Sequence, residues 1–487
     1  MKRIILQNPV SISDQPDSTS LGWSQTKIKF PKWDVKHFTN KTYRKPFNSS
    51  FTSFFRHNVN GGILLIIVAV LAMLIANSTW SSYYAEFLNH AISLKFGDFN
   101  LLSHHGAPLT MAAFINDCLM AIFFFHVGLE IKREVLVGEL SSLRKASLPI
   151  IAAIGGMVTP VVIYLLINHV NPGSRGAAIP MATDIAFSLG ALGLLGKRVP
   201  LGLKIFLTAF AVADDIGGIL VIALFYTMDL QIGYLFIAFA LIAILLIAGR
   251  LNIQKKGLYI VVGIAVWYLF LQSGVHSTIA GVLVAFTIPA HPRLKIQKYI
   301  GRIRESINTF PITEQESIVL TNDQIHELKN MEASSNKVIS PLQFMEDRLS
   351  GLVNYLILPL FAFANAGIVF GSSEGNLFGL VTYAVALGLI IGKPLGLYSF
   401  TWISVKLNLV SLPEEVDFKS IWGVCCLGGI GFTVSLFIAN LSFGSVSLEM
   451  LNQAKLGIVI GTIISGAIGY FFLNKALPKE IETMEKE

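Results

Sequence analysis

Residues 205–226 read IFLTAFAVADDIGGILVIALFY, an apolar run in which the only charged side chains are the adjacent Asp214 and Asp215. A run of this length spans a bilayer as an α-helix. Holding an ionised carboxylate at that depth costs several kcal/mol, so such groups usually mark functional sites. The stretch therefore predicts a membrane helix with a functional site inside it.

The composition of the whole chain agrees with a membrane protein. Of its 487 residues, 53% are hydrophobic and only 14% are charged, which is too little charge to cover a soluble protein of this size. Apolar runs of bilayer length recur along the chain, whereas the short alternating segments of a membrane β-barrel do not. The sequence predicts an all-α polytopic membrane protein.

The net charge of +7 comes from basic residues in short loops and in the N-terminal segment. This distribution is typical of cytoplasmic anchoring of membrane helices and argues against nucleic acid as a partner. Cys118, Cys425 and Cys426 lie in apolar segments and form no CxxC motif. We therefore expect the lipid bilayer as a partner, no cofactor, and no enzymatic activity.

Twelve membrane spans are predicted. A polar, basic tail at residues 1–58 precedes spans one to eight at residues 59–290. An insertion loop at residues 291–349, without a catalytic motif, separates these from spans nine to twelve at residues 350–474, and residues 475–487 form a C-terminal tail. Loops rich in Lys and Arg alternate with loops that have few, which places both termini and the insertion in the cytoplasm.

Three carboxylates and one amine lie deep in the predicted spans. Asp184 and Asp214 are each about 20 Å along a helix from the basic turn at residues 197–198, and Lys393 reaches a similar depth. Because consecutive helical residues point about 100° apart, Asp214 and Asp215 cannot face one ligand in the same way. We expect one aspartate to line a wet cavity and the other to pair with Lys393; structural salt bridges are the alternative.

Two predicted spans contain helix breakers at their centres. The fourth includes AAIPMATDIAFSLGALG (residues 177–193), and the eleventh includes CLGGIGFTVSLF (residues 426–437). Interrupted segments in matching places of two halves are typical of transporters built from inverted repeats, here spans three to five and ten to twelve. The sequence thus predicts two broken, crossing helices, although glycines that serve only close helix packing remain possible.

Several motifs in order along residues 57–474 are similar to those of the NhaA family of sodium/proton antiporters. They are NGGILLI, FFFHVGLEIKRE, AIPMATDIAFSLG, DDIGGILVIALFYT, SGVHSTIAGV, LPLFAFANAG, IGKPLGL and GGIGFTVSLFIA. The resemblance implies a multi-pass protein of the bacterial inner membrane, a possible homodimer, and a role in pH homeostasis and salt tolerance.

The resemblance also implies site residues. Asp214 and Asp215 would bind Na⁺ and exchange protons, Asp184 and Thr183 would lie where the broken helices cross, and Lys393 would be the charge partner. Further residues would form a charged entrance or act in the pH response: Glu130, Arg133, Glu134, Asp117, His276 and Glu346. Before span nine this chain reads MEDRLSGL (residues 345–352), without the histidines of many relatives, so its pH set point is expected to differ.

The predicted mechanism is competition between a cation and protons for buried carboxylates. Burial favours the neutral carboxyl group and a nearby ammonium group favours the carboxylate, so exchange near cytoplasmic pH is feasible. The family implies export of Na⁺, and of Li⁺ as well, with two protons entering per cation and therefore a net charge movement.

Two other functions agree with part of the sequence pattern. A sodium-coupled solute symporter would need a roomy organic-substrate pocket, which the deep residues do not supply. An intramembrane aspartyl protease could use Asp184 with Asp214, but Asp215 and Lys393 would then have no role.

Overall fold

The computed structural model describes residues 47–478, apart from short internal segments. Those segments are residues 97–98, 101, 105–106, 171, 227–229, 293–295, 312–318, 371–375 and 414–415. The chain divides into two units, residues 1–51 and 52–487, and in the first only residues 47–51 are described. Most of the predicted N-terminal tail and the C-terminal residues 479–487 therefore lie outside the described residues.

The described chain consists mainly of helices. Up to the predicted insertion these are α1 Phe47–Ala76, α2 Ser81–Asn89, α3 Met111–Val137, α4 Leu143–Ile167, α5 Ile185–Gly193, α6 Leu201–Phe225, α7 Ile232–Arg250, α8 Lys256–Ser273 and α9 Ser277–Thr287. The later helices are α10 Ile296–Thr309, α11 Asn322–Val338, α12 Pro341–Leu352, α13 Leu358–Asn365, α14 Leu380–Lys406, α15 Phe418–Gly428, α16 Phe432–Phe443 and α17 Leu448–Ala476.

Tighter and wider helical turns interrupt this pattern. A 3-10 segment, Gly173–Met181, precedes α5, and a second one, Gly196–Arg198, follows it. Wider π turns occur within α3, between α12 and α13, and within α14: Phe114–Leu119, Val353–Ile357 and Gly388–Gly392. Such turns locally change which side chains face a neighbouring helix.

Within the described residues, seven helices are long and apolar enough to cross a membrane: α3, α4, α6, α7, α8, α14 and α17. Counting each sharply bent helix pair as one span raises the number to ten. The chain is thus a multi-pass membrane protein, as predicted. The twelve-span count is not reached by length, because α9 and the eight-residue α13 are too short to qualify as spans eight and nine.

Several helices begin outside the predicted membrane spans. Helix α1 begins at Phe47, inside the segment assigned to the tail at residues 1–58, and α12 begins at Pro341, inside the predicted insertion loop. Helix α17 begins at Leu448, where the Ser447 side chain accepts a hydrogen bond from the Met450 N–H at 3.3 Å and so caps the helix. Polar residues in the first turns of α1 and polar caps of α12 and α17 resemble loop sequence in an apolarity pattern.

The all-α prediction misses five short strands in the connection between α2 and α3. They are β1 Ala91–Ile92, β2 Lys95–Phe96, β3 Phe99–Asn100, β4 Ser103–His104 and β5 Ala107–Thr110. They form antiparallel ladders in the order β1-β5-β4, with β2 paired to β3. Strands of two to four residues are too short to show an alternating pattern, so they could not be predicted from the sequence.

Close helix contacts bring the site elements together. Helix α3 packs against α9, and α4 packs against α14. At the second contact a Cβ on Gly396 would collide with the Gly155 carbonyl oxygen, so only glycine allows the two backbones to approach this closely. Lys393 lies one turn before Gly396 on α14, and this contact directs it into the protein interior.

Candidate functional site

The site is built around two helix breaks. The 3-10 segment Gly173–Met181 and α5 meet at 43°, and α15 and α16 meet at 42°. At each break, backbone N–H and carbonyl groups lack the hydrogen-bond partners that a continuous helix would provide. Residues at one break bond to such groups at the other. Thr183 Oγ1 donates to the Gly428 carbonyl oxygen at 2.9 Å, and the Asp184 N–H donates to the Ile430 carbonyl oxygen at 2.7 Å. The two predicted broken spans therefore bond to each other at their interruptions.

Asp184 joins the two breaks through its side chain. It caps α5, since its Oδ1 accepts from the Phe187 N–H at 3.0 Å. Its Oδ2 accepts from Thr433, at 3.1 Å from the backbone N–H and 2.5 Å from the hydroxyl Oγ1. Both oxygens are thus held by the protein, and Asp184 is fixed in position across the α5 and α16 starts.

Asp214 forms an ion pair with Lys393. The Lys393 Nζ lies 2.5 Å from Asp214 Oδ2, and both side chains are 0% exposed. The same ammonium group donates to the Met181 carbonyl oxygen at the end of the 3-10 segment. Asp214 Oδ1 is buried, and among the described residues it has no hydrogen-bond partner of standard geometry. The pair therefore connects α6, α14 and the first helix break.

Asp215 faces a different environment from its neighbour. It lines a cavity of about 50 Å³, together with Asp184, Glu130, His126 and Thr433. Its side chain accepts no hydrogen bond from the described part of the protein. The structure thus answers the question that the adjacent aspartates raised: Asp214 pairs with Lys393, and Asp215 lines the cavity.

The cavity combines walls from five parts of the chain. Its lining residues are Phe123, His126, Val127 and Glu130 of α3; Thr183, Asp184, Ile185 and Ala186; Asp215 of α6; Ser350, Val353, Asn354 and Leu358; and Thr433 and Val434 of α16. Two buried atoms in this lining, His126 Nε2 and Glu130 Oε1, have no hydrogen-bond partner among the described residues. Carboxyl and hydroxyl oxygens therefore face one shared space.

A second group of charges, the α3-end cluster, comprises Arg133, Glu134 and Glu346. Arg133 Nε lies 2.7 Å from Glu346 Oε1, and its Nη2 lies 2.9 Å from Glu134 Oε1. Partial burial raises the pKa of Glu346, and the adjacent Arg133 guanidinium opposes that rise. The cluster ties α3 to α12, one turn beyond the cavity-lining Glu130.

Two predicted residues lie away from the cavity. Asp117 is part of the π turn in α3, where its carbonyl oxygen accepts from Trp267 Nε1 at 3.1 Å and Ser277 Oγ at 3.3 Å. His276 precedes α9, and its ring packs edge-on against Phe437 with centroids 6.3 Å apart. Neither side chain lines the cavity that contains Asp215.

Sequence reasoning missed three polar residues in the interior. Thr433 follows the Gly431 break by two residues, and its hydroxyl was overlooked within an otherwise apolar motif. His126 precedes Glu130 by one helical turn, which is a spacing that could have signalled a shared face. Lys455 is buried within α17, and a lone cation near the start of an apolar run resembles a residue of the flanking loop.

Comparison with known proteins places these features in a family. The family model described as Na⁺/H⁺ antiporter 1 matches residues 52–473. The chain is 59% identical over 431 residues to the Na(+)/H(+) antiporter NhaA of Bacteroides fragilis, covering 88% of this chain and 98% of that protein.

Two further relatives match over a similar share of the chain. The NhaA antiporter of Phocaeicola vulgatus is 55% identical over 434 residues, covering 89% of this chain and 97% of that protein. The NhaA antiporter of Porphyromonas gingivalis is 49% identical over 432 residues, covering 88% and 96%. With nearly full-length matches that include both helix breaks and the deep charges, the chain belongs to the NhaA family of Na⁺/H⁺ antiporters.

Proposed function

We propose that this protein exports Na⁺ in exchange for protons, with Asp215 as the group that binds either the cation or a proton. The observation that carries the proposal is the division of labour between the adjacent aspartates. Asp214 is held by Lys393 at 2.5 Å, whereas Asp215 faces a cavity and accepts no hydrogen bond from the described protein. A carboxyl group without a fixed partner is available to a cargo ion.

The cavity offers the ligand chemistry that Na⁺ requires. Hard cations are bound by carboxylate, hydroxyl and carbonyl oxygens, and Thr183, Asp184 and Thr433 share the cavity wall with Asp215. Asp184 is already held by three protein donors, so its proposed role is to position the break and contribute negative charge. Because Na⁺ and H⁺ neutralise the same carboxylate, binding of one excludes the other.

The Asp214–Lys393 pair supplies the second proton-exchanging group in this proposal. Protonation of Asp214 would release Lys393, and the ammonium group also contacts Met181 at the first helix break. A proton change at the pair would therefore alter the contacts of the break itself. Two protons per Na⁺ make the exchange electrogenic, so the membrane potential contributes about 2.3 kcal/mol per 100 mV for the net charge that enters.

The proposed topology extends the helices that the structure describes. We propose twelve spans, including α9 as span eight and residues 350–371, which contain α13, as span nine, with inverted repeats formed by spans three to five and ten to twelve. Both termini and the insertion would face the cytoplasm, the protein would lie in the bacterial inner membrane, and two copies could form a homodimer. The hydrogen bonds between the two breaks support the repeat assignment, since equivalent halves would place both interruptions at one depth.

Everted membrane vesicles provide the direct test. Respiration acidifies the vesicle interior, and a pH-sensitive dye reports proton efflux when NaCl, LiCl or KCl is added; vesicles without the protein are the control. We expect dequenching with Na⁺ and Li⁺ that exceeds the response to K⁺. Clamping the membrane potential with valinomycin and K⁺ should change the rate. Absence of any Na⁺-dependent proton movement, with normal amounts of inserted protein, would overturn the proposed function.

A further inference from the structure

The segment between α9 and α12 forms a helical hairpin, and its two ends lie close together. Helices α10 and α11 pack against each other, and Tyr299 and Ser335 are joined through their hydroxyls at 3.2 Å. At the base, the Leu342 N–H donates to the Pro289 carbonyl oxygen at 3.3 Å. The hairpin is therefore tied at both ends to helices of the membrane-embedded part.

Helix α10 carries an apolar strip that the described protein leaves uncovered. Ile296, Ile300 and Ile307 are 65%, 50% and 59% exposed. Their spacing of four and eleven residues confines them to a strip about 40° wide on a helix with about 100° per residue. The strip runs about 16 Å along the axis, beside the face that packs on α11.

The charges of α10 are arranged around this strip. Arg304 borders it, about 80° from Ile296, while Lys298 and Arg302 lie on the remaining exposed surface. Glu305, the only acidic residue of the helix, lies about 180° from Ile296. An apolar strip bordered by an arginine, on a helix with a net charge of +2 from Lys298, Arg302 and Arg304 against Glu305, is typical of helices that lie in a membrane interface.

We propose that α10 lies on the surface of the bilayer, with its isoleucine strip in contact with lipid and Arg304, which borders the strip, near anionic headgroups. Eight residues separate Thr287, the end of α9, from Ile296, which allows a reach of at most about 28 Å from a helix of the membrane-embedded part. The positive charge of the helix favours phosphatidylglycerol over a neutral lipid surface. The hairpin would thus anchor the connection between α9 and α12.

Site-directed spin labelling of the full-length protein tests this contact. Nitroxides at Ile300→Cys and, as the matched far-face control, Glu305→Cys are compared in a chain whose Cys118, Cys425 and Cys426 are replaced by alanine. In vesicles of phosphatidylcholine with phosphatidylglycerol, we expect the label at 300 to be relaxed mainly by oxygen and the label at 305 mainly by an aqueous nickel complex. Na⁺-dependent proton movement verifies that each labelled protein is folded.

Changing the vesicle composition and neutralising single basic residues complete the test. Pure phosphatidylcholine and Arg304→Gln should each reduce the oxygen preference of the label at 300, and Lys298→Gln should reduce it less. Water exposure of that label in anionic vesicles would overturn the proposal, as would dipolar broadening between labels on two copies, which would make a second copy the occupant. Lipid contact that is insensitive to phosphatidylglycerol would overturn the role of the anionic headgroups.

Discussion

The two charged regions of this protein differ in how their charges are satisfied. In the deep centre, formed by Asp184, Asp214, Asp215 and Lys393, the ion pair is 0% exposed and each group has either fixed protein partners or the cavity. In the α3-end cluster, the Arg133 side chain is 30% exposed and divides its hydrogen-bonding groups between two carboxylates. Water can replace a lost partner at the second region, but much less readily at the first.

This difference in burial predicts that the two regions respond differently to substitution. Removing one member of a fully buried pair leaves an uncompensated charge, whereas a partly exposed pair contributes little on balance. The deep centre should therefore respond to single substitutions with large changes in exchange or stability. The α3-end cluster should respond with small changes that depend on pH.

The largest expected effect is the loss of exchange in Asp215→Asn. Asparagine preserves the shape of the side chain but cannot exchange a proton or neutralise Na⁺. Dye dequenching in everted vesicles should show no Na⁺-dependent response, while the amount of inserted protein and its unfolding temperature remain close to wild type.

The same substitution at the neighbouring residue, Asp214→Asn, is compared with Asp215→Asn. It should also impair exchange severely, but it should additionally lower stability because Lys393 loses its carboxylate. Wild-type turnover in Asp215→Asn would disprove the assignment of the exchange site. Identical stability of the two variants would disprove the division of labour between the aspartates.

The second effect concerns the buried ion pair. Lys393→Ala should destabilise the protein by about 3–5 kcal/mol, since Asp214 is left buried without its cation. The double variant Asp214→Asn/Lys393→Ala removes both charges and should recover part of that loss. Thermal unfolding in detergent measures both, and a coupling energy near zero in the double-mutant cycle would contradict a direct interaction.

A smaller effect on stability is expected from the hydrogen bond between Thr433 and Asp184, which joins the two helix breaks. Thr433→Val keeps the size of the side chain but removes the hydroxyl that lies 2.5 Å from Asp184 Oδ2. The expected cost is about 1–3 kcal/mol, because a buried carboxylate oxygen loses a donor. Thr433→Ser retains the hydroxyl and serves as the control. Equal unfolding temperatures for the valine and serine variants would show that this hydrogen bond contributes nothing.

The smallest effect should come from Glu346 and should vary with pH. Partial burial raises its pKa above the value in the unfolded chain, so the folded protein binds this proton more tightly. Stability is therefore greatest below the unfolded value and decreases as pH rises through the interval up to the folded value. In Glu346→Gln this decrease should be absent, a difference of about 1 kcal/mol or less.

The measurement is the unfolding temperature of wild type and variant across that pH range. Asp347→Asn is the matched control, since it changes an exposed carboxylate one residue away. A steeper pH dependence in Glu346→Gln than in wild type would show that the sign of the effect was assigned wrongly.

Much of the membrane architecture could be predicted because each span carries its own apolar signal. The starts of α1, α12 and α17 could not, since polar residues cap or begin these helices and resemble loop sequence. The hydrogen bonds that Thr433 makes to Asp184 could not be predicted either. Those residues are 249 positions apart, and only the meeting of the two helix breaks brings them together.

The sequence by itself determined that this is a multi-pass membrane protein with carboxylates and a lysine inside its apolar segments, because apolar run length and charge position are local properties. It also required that Asp214 and Asp215 face different surroundings, since neighbouring helical side chains diverge by about 100°. Only the tertiary structure decided which aspartate meets Lys393. That choice depends on how α6 is rotated against α14, and helix rotation is set by packing contacts between residues far apart in the chain.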